Sequence, residues 1–95
     1  MNPVRDQNLM FYTYVIESQK RSYWYTGSTN NLRKRFSQHI KGQSTWTKSR
    51  GPWKLIYYEA CLDEEDAKAR EKYLKSGMGK RYLKNRLKCF LTLTG

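Results

Sequence analysis

Two short runs of strand-forming residues, divided by a five-residue polar link, constrain this chain more than any other feature. Phe11-Tyr12-Thr13-Tyr14-Val15-Ile16 is almost wholly aromatic and β-branched, and Ser22-Tyr23-Trp24-Tyr25-Thr26 is similar. The link, Glu17 to Arg21, is short enough that the two runs predict an antiparallel hairpin, closed by Gly27. Alternation puts Tyr12, Tyr14 and Ile16 on one strand face, and Tyr23 and Tyr25 on a common face of the second strand. A third strand is expected over Trp53 to Ala60.

Between the second and third strands, Ser28 or Thr29 can cap a helix running to about Ile40. Leu32, Phe36 and Ile40 would be its buried stripe and Gly42 its stop. Residues 43–52 form a polar, basic loop whose length is typical of functional loops. Asp63 caps a second helix to about Ser76, with Glu64, Glu65 and Asp66 in the first turn, where the helix dipole favours them. Gly77 and Gly79 break it, and Lys80 to Lys88 reads as a third helix with Tyr82, Leu83 and Leu87 as apolar contacts. The pattern is α+β: a small three-stranded antiparallel sheet flanked by helices in the order β-β-α-β-α-α. Helices on one side of the sheet are the economical packing. Ninety-five residues leave room for one domain. It is expected over residues 10–90, after a loose leader at 1–9 and before a short tail at 91–95.

Lys and Arg number 19 against 8 Asp and Glu, a net charge of +11. Ser18 to Tyr58 holds nine cations and no acid, and Lys72 to Gly95 holds seven and none. Such a field attracts polyanions and raises their encounter rate. Aromatics interleaved with the cations favour a nucleic acid over a surface charged merely to keep molecules apart. An anionic membrane fits less well, because no helix is both strongly amphipathic and rich in Trp or Leu. No apolar run approaches the roughly 18 residues of a membrane-spanning helix, so no membrane partner is expected. No charged-then-apolar stretch with a small-residue cleavage site opens the sequence, so secretion is not expected. Cys61 and Cys89 make no CxxC pair and have no His at ligand spacing. A zinc site and a disulfide framework are therefore not expected, and a cytoplasmic location fits.

Arg35 and His39 stand at i, i+4 and project side by side, flanking the stripe of the first helix. A guanidinium grips phosphate with two bonds. His39 is the sole histidine, the one side chain with an ordinary pKa near neutrality. Each also has an ordinary reading, Arg35 as a surface cation and His39 as a packing group. In the second helix Glu71 borders the apolar face made by Ala67 and Leu74. Its partner is either Lys75 at i+4 or a divalent metal, and spacing alone leaves both open. Asp63 to Asp66 serve the helix start, Glu17 and Glu59 lie at strand ends, and no carboxylates are paired. Hydrolysis here would use at most one metal, held mainly by Glu71 and water. The base must then come from elsewhere. A tyrosine beside a cation can be shifted toward phenolate, although the hairpin tyrosines also suit cross-strand packing.

Taken together these residues resemble the GIY-YIG nuclease superfamily, above all its small standalone members. Tyr12-Thr13-Tyr14 and Tyr25-Thr26-Gly27 look like its two hairpin tripeptides. The likeness continues from Gly27 through Leu32-Arg33-Lys34-Arg35-Phe36 to His39, resumes over Pro52 to Glu59 and Ala69 to Gly77, and ends near Lys84-Asn85-Arg86-Leu87. It spans residues 11–88. The resemblance implies phosphodiester cleavage with one divalent metal, Mg²⁺ or alternatively Mn²⁺. It implies that Tyr14 and Tyr25 line the site, that Arg35 contacts the scissile phosphate and that His39 assists proton transfer. It makes Glu71 the metal ligand and Asn85 a late polar residue that positions the site. Which tyrosine acts as base stays open. Tyr12 replaces the family's Gly, and Thr13 and Thr26 replace Ile, which bears on substrate fit more than on fold. Gly27 suits a tight turn into a helix N-terminus beside a phosphate. The accessory DNA-binding domains of larger relatives are absent from this sequence.

The expected activity is therefore a metal-dependent endonuclease acting on DNA, or on another nucleic acid. Its cutting would be structure-selective or weakly sequence-specific, in repair, recombination or processing. Arg33, Lys34, Lys41, Lys48, Arg50, Lys80 and Arg81 are expected to hold the backbone by charge. Two other readings stand beside it: a non-catalytic nucleic-acid binding module on the same fold, and a nuclease subunit that needs a protein partner. Competent residue types at the catalytic positions favour the enzyme over the binding module.

Overall fold

The computed structural model describes residues 9–94, so the leader expected at 1–9 lies, apart from Leu9, outside the described residues. Three strands and four helices follow in chain order: β1 (Phe11–Ser18), β2 (Trp24–Thr29), α1 (Leu32–Ile40), β3 (Trp53–Cys61), α2 (Glu64–Lys75), α3 (Gly77–Arg86) and α4 (Lys88–Thr94). The sheet order is β2-β1-β3, and β1 is antiparallel to both neighbours. The expected hairpin is present, with Tyr14 opposite Gly27 and Ile16 opposite Tyr25.

The central place of β1 explains its composition. Thr13, Tyr14, Val15 and Ile16 are all buried, so the strand reads as an unbroken apolar run rather than an alternation. Tyr14 and Ile16 face one way and pack with Trp53, Tyr25, Leu32, Phe36 and Leu55. Val15 faces the other way, against Leu74, Leu83, Trp24, Ile56 and Tyr57. The helices therefore lie on both faces of the sheet, not on one as the economical packing suggested. The physical reason is β1 itself, whose two apolar faces each need a cover. On one side α1 and the 43–52 segment supply it, the segment being anchored where Trp53 Nε1 donates to Thr47 O at 2.9 Å. On the other side α2 and α3 supply it, and Thr13 Oγ1 donates to Ala67 O at 2.8 Å.

Several local expectations shift. Ser28 and Thr29 end β2 and do not cap α1, whose N-cap is Asn31, accepting from Lys34 N. Ile40 is 59% exposed, while His39 is buried. Helical angle explains the exchange: seven residues past Leu32, His39 lies about 20° from it around the axis, whereas Ile40 lies about 80° away. Gly77 opens α3 and does not separate it from α2, because Ser76 caps the helix by accepting from Gly79 N. The third helix ends at Arg86, not Lys88, and residues placed in the tail continue into α4. Asp63 caps α2 as expected, accepting from Glu65 N. Among the described residues no helix is long and apolar enough to cross a membrane.

Candidate active site

The site is built where β1 and β2 lie closest. Gly27 sits inside β2, opposite Tyr14, and its missing side chain makes room for the Tyr14 phenol. A Cβ there would stand 2.6 Å from Tyr14 Oη and 2.8 Å from Cζ. The glycine is thus required by close approach to a side chain, not by the tight turn into a helix that the sequence suggested.

Tyr14 is 1% exposed, and its hydroxyl lies 2.8 Å from His39 Nε2. On the far side of the imidazole, Nδ1 lies 2.8 Å from Thr47 Oγ1, which itself donates weakly to Ser44 O at 3.5 Å. With the threonine hydrogen directed at that carbonyl, Nδ1–H donates to Thr47 and Nε2 accepts from the tyrosine. The 43–52 segment thus holds the imidazole from behind, through Thr47. Burial, then the nearby Arg35 charge, pushes His39 down to about 4. Burial, then Tyr25, pushes the Tyr14 phenol up to about 12, with Arg35 opposing the rise. Both groups are neutral at pH 7, and Tyr14 is not the shifted phenolate that the sequence reading allowed. Desolvation outweighs the cation.

Arg35 stands beside both tyrosines. Its Nη1 donates to Gln38 Oε1 at 3.0 Å and its Nη2 to Ser44 Oγ at 3.4 Å. Burial pulls the guanidinium down, but Tyr14 and Tyr25 outweigh it and hold the group above its usual value. Tyr25 packs its ring 5.0 Å from the His39 ring and 6.3 Å from Tyr14. One compact group of Tyr14, Tyr25, Arg35 and His39 results.

Glu71 comes to the same region from α2, on the opposite sheet face, beside the edge strand β2. Ser28 Oγ donates to its Oε1 and Lys75 Nζ to its Oε2, each at 2.7 Å. The Glu71 side chain is 23% exposed, and its charge adds to the rise at Tyr14. Lys75 at i+4 is thus a partner in fact, which the sequence had left open. Among the described residues no three His, Cys, Asp or Glu side chains cluster at metal spacing.

Asn85 does not join this group. It is exposed on α3, beside Met78, Arg81 and Tyr82, and α3 packs on the sheet face away from Tyr14. The basic residues divide. Arg33, Lys34, Lys41, Lys48, Lys80 and Arg81 are exposed, whereas Arg50 is half-buried with its guanidinium 4.3 Å above the Trp46 ring. Lys80 borders the same groove as Tyr25 and Lys75, while Arg33 borders a separate groove with Tyr12 and Tyr58, and Arg81 stands with Asn85. Ser28, Ser44 and Thr47 were missed as site residues. The one available signal was the unusual length of the 43–52 loop, which names no residue. Ser28 was concealed by its plausibility as a helix cap.

Residues 10–87 match the family model described as the GIY-YIG catalytic domain. The UPF0213 protein CPE1444 of Clostridium perfringens is 42% identical over 70% of this chain and 71% of its own length. A UPF0213 protein of Limosilactobacillus reuteri is 40% identical over 68% of this chain and 70% of its own. The solution NMR structure of the UPF0213 protein BH0048 from Bacillus halodurans is 31% identical, matching 79% of this chain and 82% of that one at a TM-score of 0.49. A family match that takes in both tripeptides, Arg35, His39 and Glu71 leaves one conclusion: the chain belongs to the GIY-YIG family of nuclease catalytic domains.

Proposed function

We propose that this protein is a metal-dependent endonuclease that hydrolyses phosphodiester bonds of DNA. The observation that carries the reading is the hydrogen-bonded line Tyr14–His39–Thr47 with Arg35 at its mouth. A neutral histidine bonded to a tyrosine beside a guanidinium supplies a proton path that a nuclease uses and a binding module does not need.

Mg²⁺ fits the donor set. It keeps most of its waters and needs only one or two carboxylates. Glu71 offers hard oxygen at the rim of the tyrosine group, with the Ser28 hydroxyl beside it. The ion would displace Lys75 from Oε2. When bound, it would polarise the phosphate and stabilise the leaving oxygen.

The chain's own residues do the rest. Arg35 holds a phosphate oxygen and neutralises charge that builds on it. The Tyr14 O–H points at His39 Nε2 and its oxygen accepts from Arg35, which leaves one lone pair to take a proton from an attacking water. As that proton arrives, the phenolic proton passes to Nε2. An imidazolium is disfavoured in the resting site by burial and by Arg35. A bound phosphate offsets the Arg35 field, the smaller of those two penalties, and so favours the proton on Nε2 when substrate is in place. Exposed cations spread over separate grooves suit backbone contact rather than base reading, hence structure-selective or weakly specific cutting.

The test is a nicking assay on supercoiled plasmid and on branched and flapped oligonucleotides, with Mg²⁺, Mn²⁺ or EDTA. Wild type should cut only with metal, and Glu71→Ala should not cut while keeping the wild-type circular dichroism spectrum. A folded Glu71→Ala variant with wild-type turnover would overturn the assignment.

A further inference from the structure

The Trp46 ring belongs to two surroundings at once. On one side it packs 5.7 Å from Tyr25, which touches His39. On the other it meets Tyr23 at 6.4 Å. Trp53 lies 6.0 Å from Trp46 and is buried, so the core is sealed beneath them. Yet Tyr23 and Trp46 are each 43% exposed, large aromatic surface left in water in a chain with little core to spare. Arg50 holds Trp46 in place, its guanidinium covering one ring face and its Nη1 donating to Trp46 O, so a stacked base would take Tyr23 and the Trp46 surface that Arg50 leaves open.

Both rings open onto a cleft of about 780 Å³ that also carries Lys54, Lys80 and Lys84. Trp46 and Lys80 border in addition the groove that holds Tyr25 and Lys75. The two concavities share these walls, so they lie side by side between Tyr25 and Tyr23.

Aromatic faces set among ammonium groups match one ligand chemistry closely. A nucleotide that is not base-paired can lay its base on the rings and its phosphates against the lysines. A base pair within a duplex has both faces already stacked on its neighbours, and an acidic peptide would use the lysines and leave the rings idle. We propose that Tyr23 and Trp46 form a stacking subsite for an unpaired nucleobase beside the phosphate that is cut, so that the substrate carries a single-stranded segment there. This rests on the nuclease reading above and narrows its substrate class.

Fluorescence anisotropy in EDTA separates the two ideas, using a labelled oligothymidine and a blunt duplex of equal length. Trp46→Ala should weaken single-strand binding about 5- to 100-fold, the range for loss of one base stack, and change duplex binding less than about twofold. Trp46→Phe should keep most of the affinity. Tyr23→Ala, which leaves the Trp46–Tyr25 contact alone, should show the same selective loss and decides the matter if Trp46→Ala fails to fold. Equal losses for both nucleic acids, or none, would overturn the subsite. Wild type that cuts with metal while ignoring both aromatic variants overturns the subsite alone. Wild type that neither binds nor cuts either nucleic acid overturns the nuclease reading with it.

Discussion

Gly27→Ala replaces one hydrogen by a methyl group at the point where β2 lies closest to the Tyr14 phenol. The new Cβ would stand 2.6 Å from Tyr14 Oη, where ordinary contact begins near 3.4 Å, so the phenol must shift by about 0.8 Å. It has little room to do so. Tyr14 is 1% exposed and is flanked by the rings of Tyr25 and His39. Overpacking of this kind costs about 1–3 kcal/mol, and in a domain of this size each kcal/mol lowers the melting temperature by about 4–8 °C. A shift of that size along the 2.8 Å bond to His39 breaks it. Lengthened by that amount it reaches about 3.6 Å, beyond a hydrogen bond, and shortened it becomes a clash. A misplacement near 1 Å at a reacting group costs about 100-fold in rate. Melting followed by circular dichroism and nicking of supercoiled plasmid read the two effects separately. A Gly27→Ala variant that melts within about 2 °C of wild type and nicks at the wild-type rate would refute the reason given for this glycine.

Other outcomes follow from the same geometry. Tyr14→Phe removes the donor to His39 Nε2 with little change in packing, and nicking should fall about 10²- to 10⁴-fold while the fold remains, as nicking and circular dichroism together would read. His39 is held at about 4 in the folded chain against 6.5 when unfolded, so the unfolded chain binds more protons between those values. Stability should therefore fall as pH drops from 6.5 toward 4 and level off below; melting temperatures across that window should lose part of this slope in His39→Gln. Gly79→Ala would drive a Cβ into the Tyr73 carbonyl and the Leu74 backbone, where α3 crosses α2, and should cost about 3 kcal/mol or more in a urea titration. Gly77→Ala meets nothing within 4 Å and should be neutral or stabilising by up to about 1 kcal/mol in the same titration.

Much of the fold could be read locally. The strand runs, the short link between them, the Asp63 cap and the Gly42 stop are decided by neighbours in sequence; the cap and the stop stand where expected, with Gly42 at φ 73°, while β2 runs over Trp24–Thr29 with Gly27 inside it rather than over 22–26 closed by Gly27. Misreadings arose where two local rules competed. Ser28 and Thr29 are good caps, but cross-strand pairing with β1 claimed them, and Asn31 took the cap. Ile40 is apolar, yet the angle of α1 on the sheet turned His39 inward and left Ile40 in water. Asn85 matched the family pattern in order along the chain, but α3 carries it to an exposed patch away from the tyrosines.

The sequence by itself determined the parts: three strands, helices with their main stops, a basic surface, and the residue types Tyr14, Tyr25, Arg35, His39 and Glu71. Those follow from propensity, periodicity and charge, which act over a few residues. Only the tertiary structure decided how the parts act on one another. It placed Thr47 behind His39 and Ser28 against Glu71, pairs separated by 8 and 43 residues. It also set the protonation of the site, because burial of Tyr14 outweighs the cation beside it, while burial and that same cation together keep His39 neutral. Desolvation is a property of everything packed around a group, so it appears only once the sheet and its two covering layers have closed.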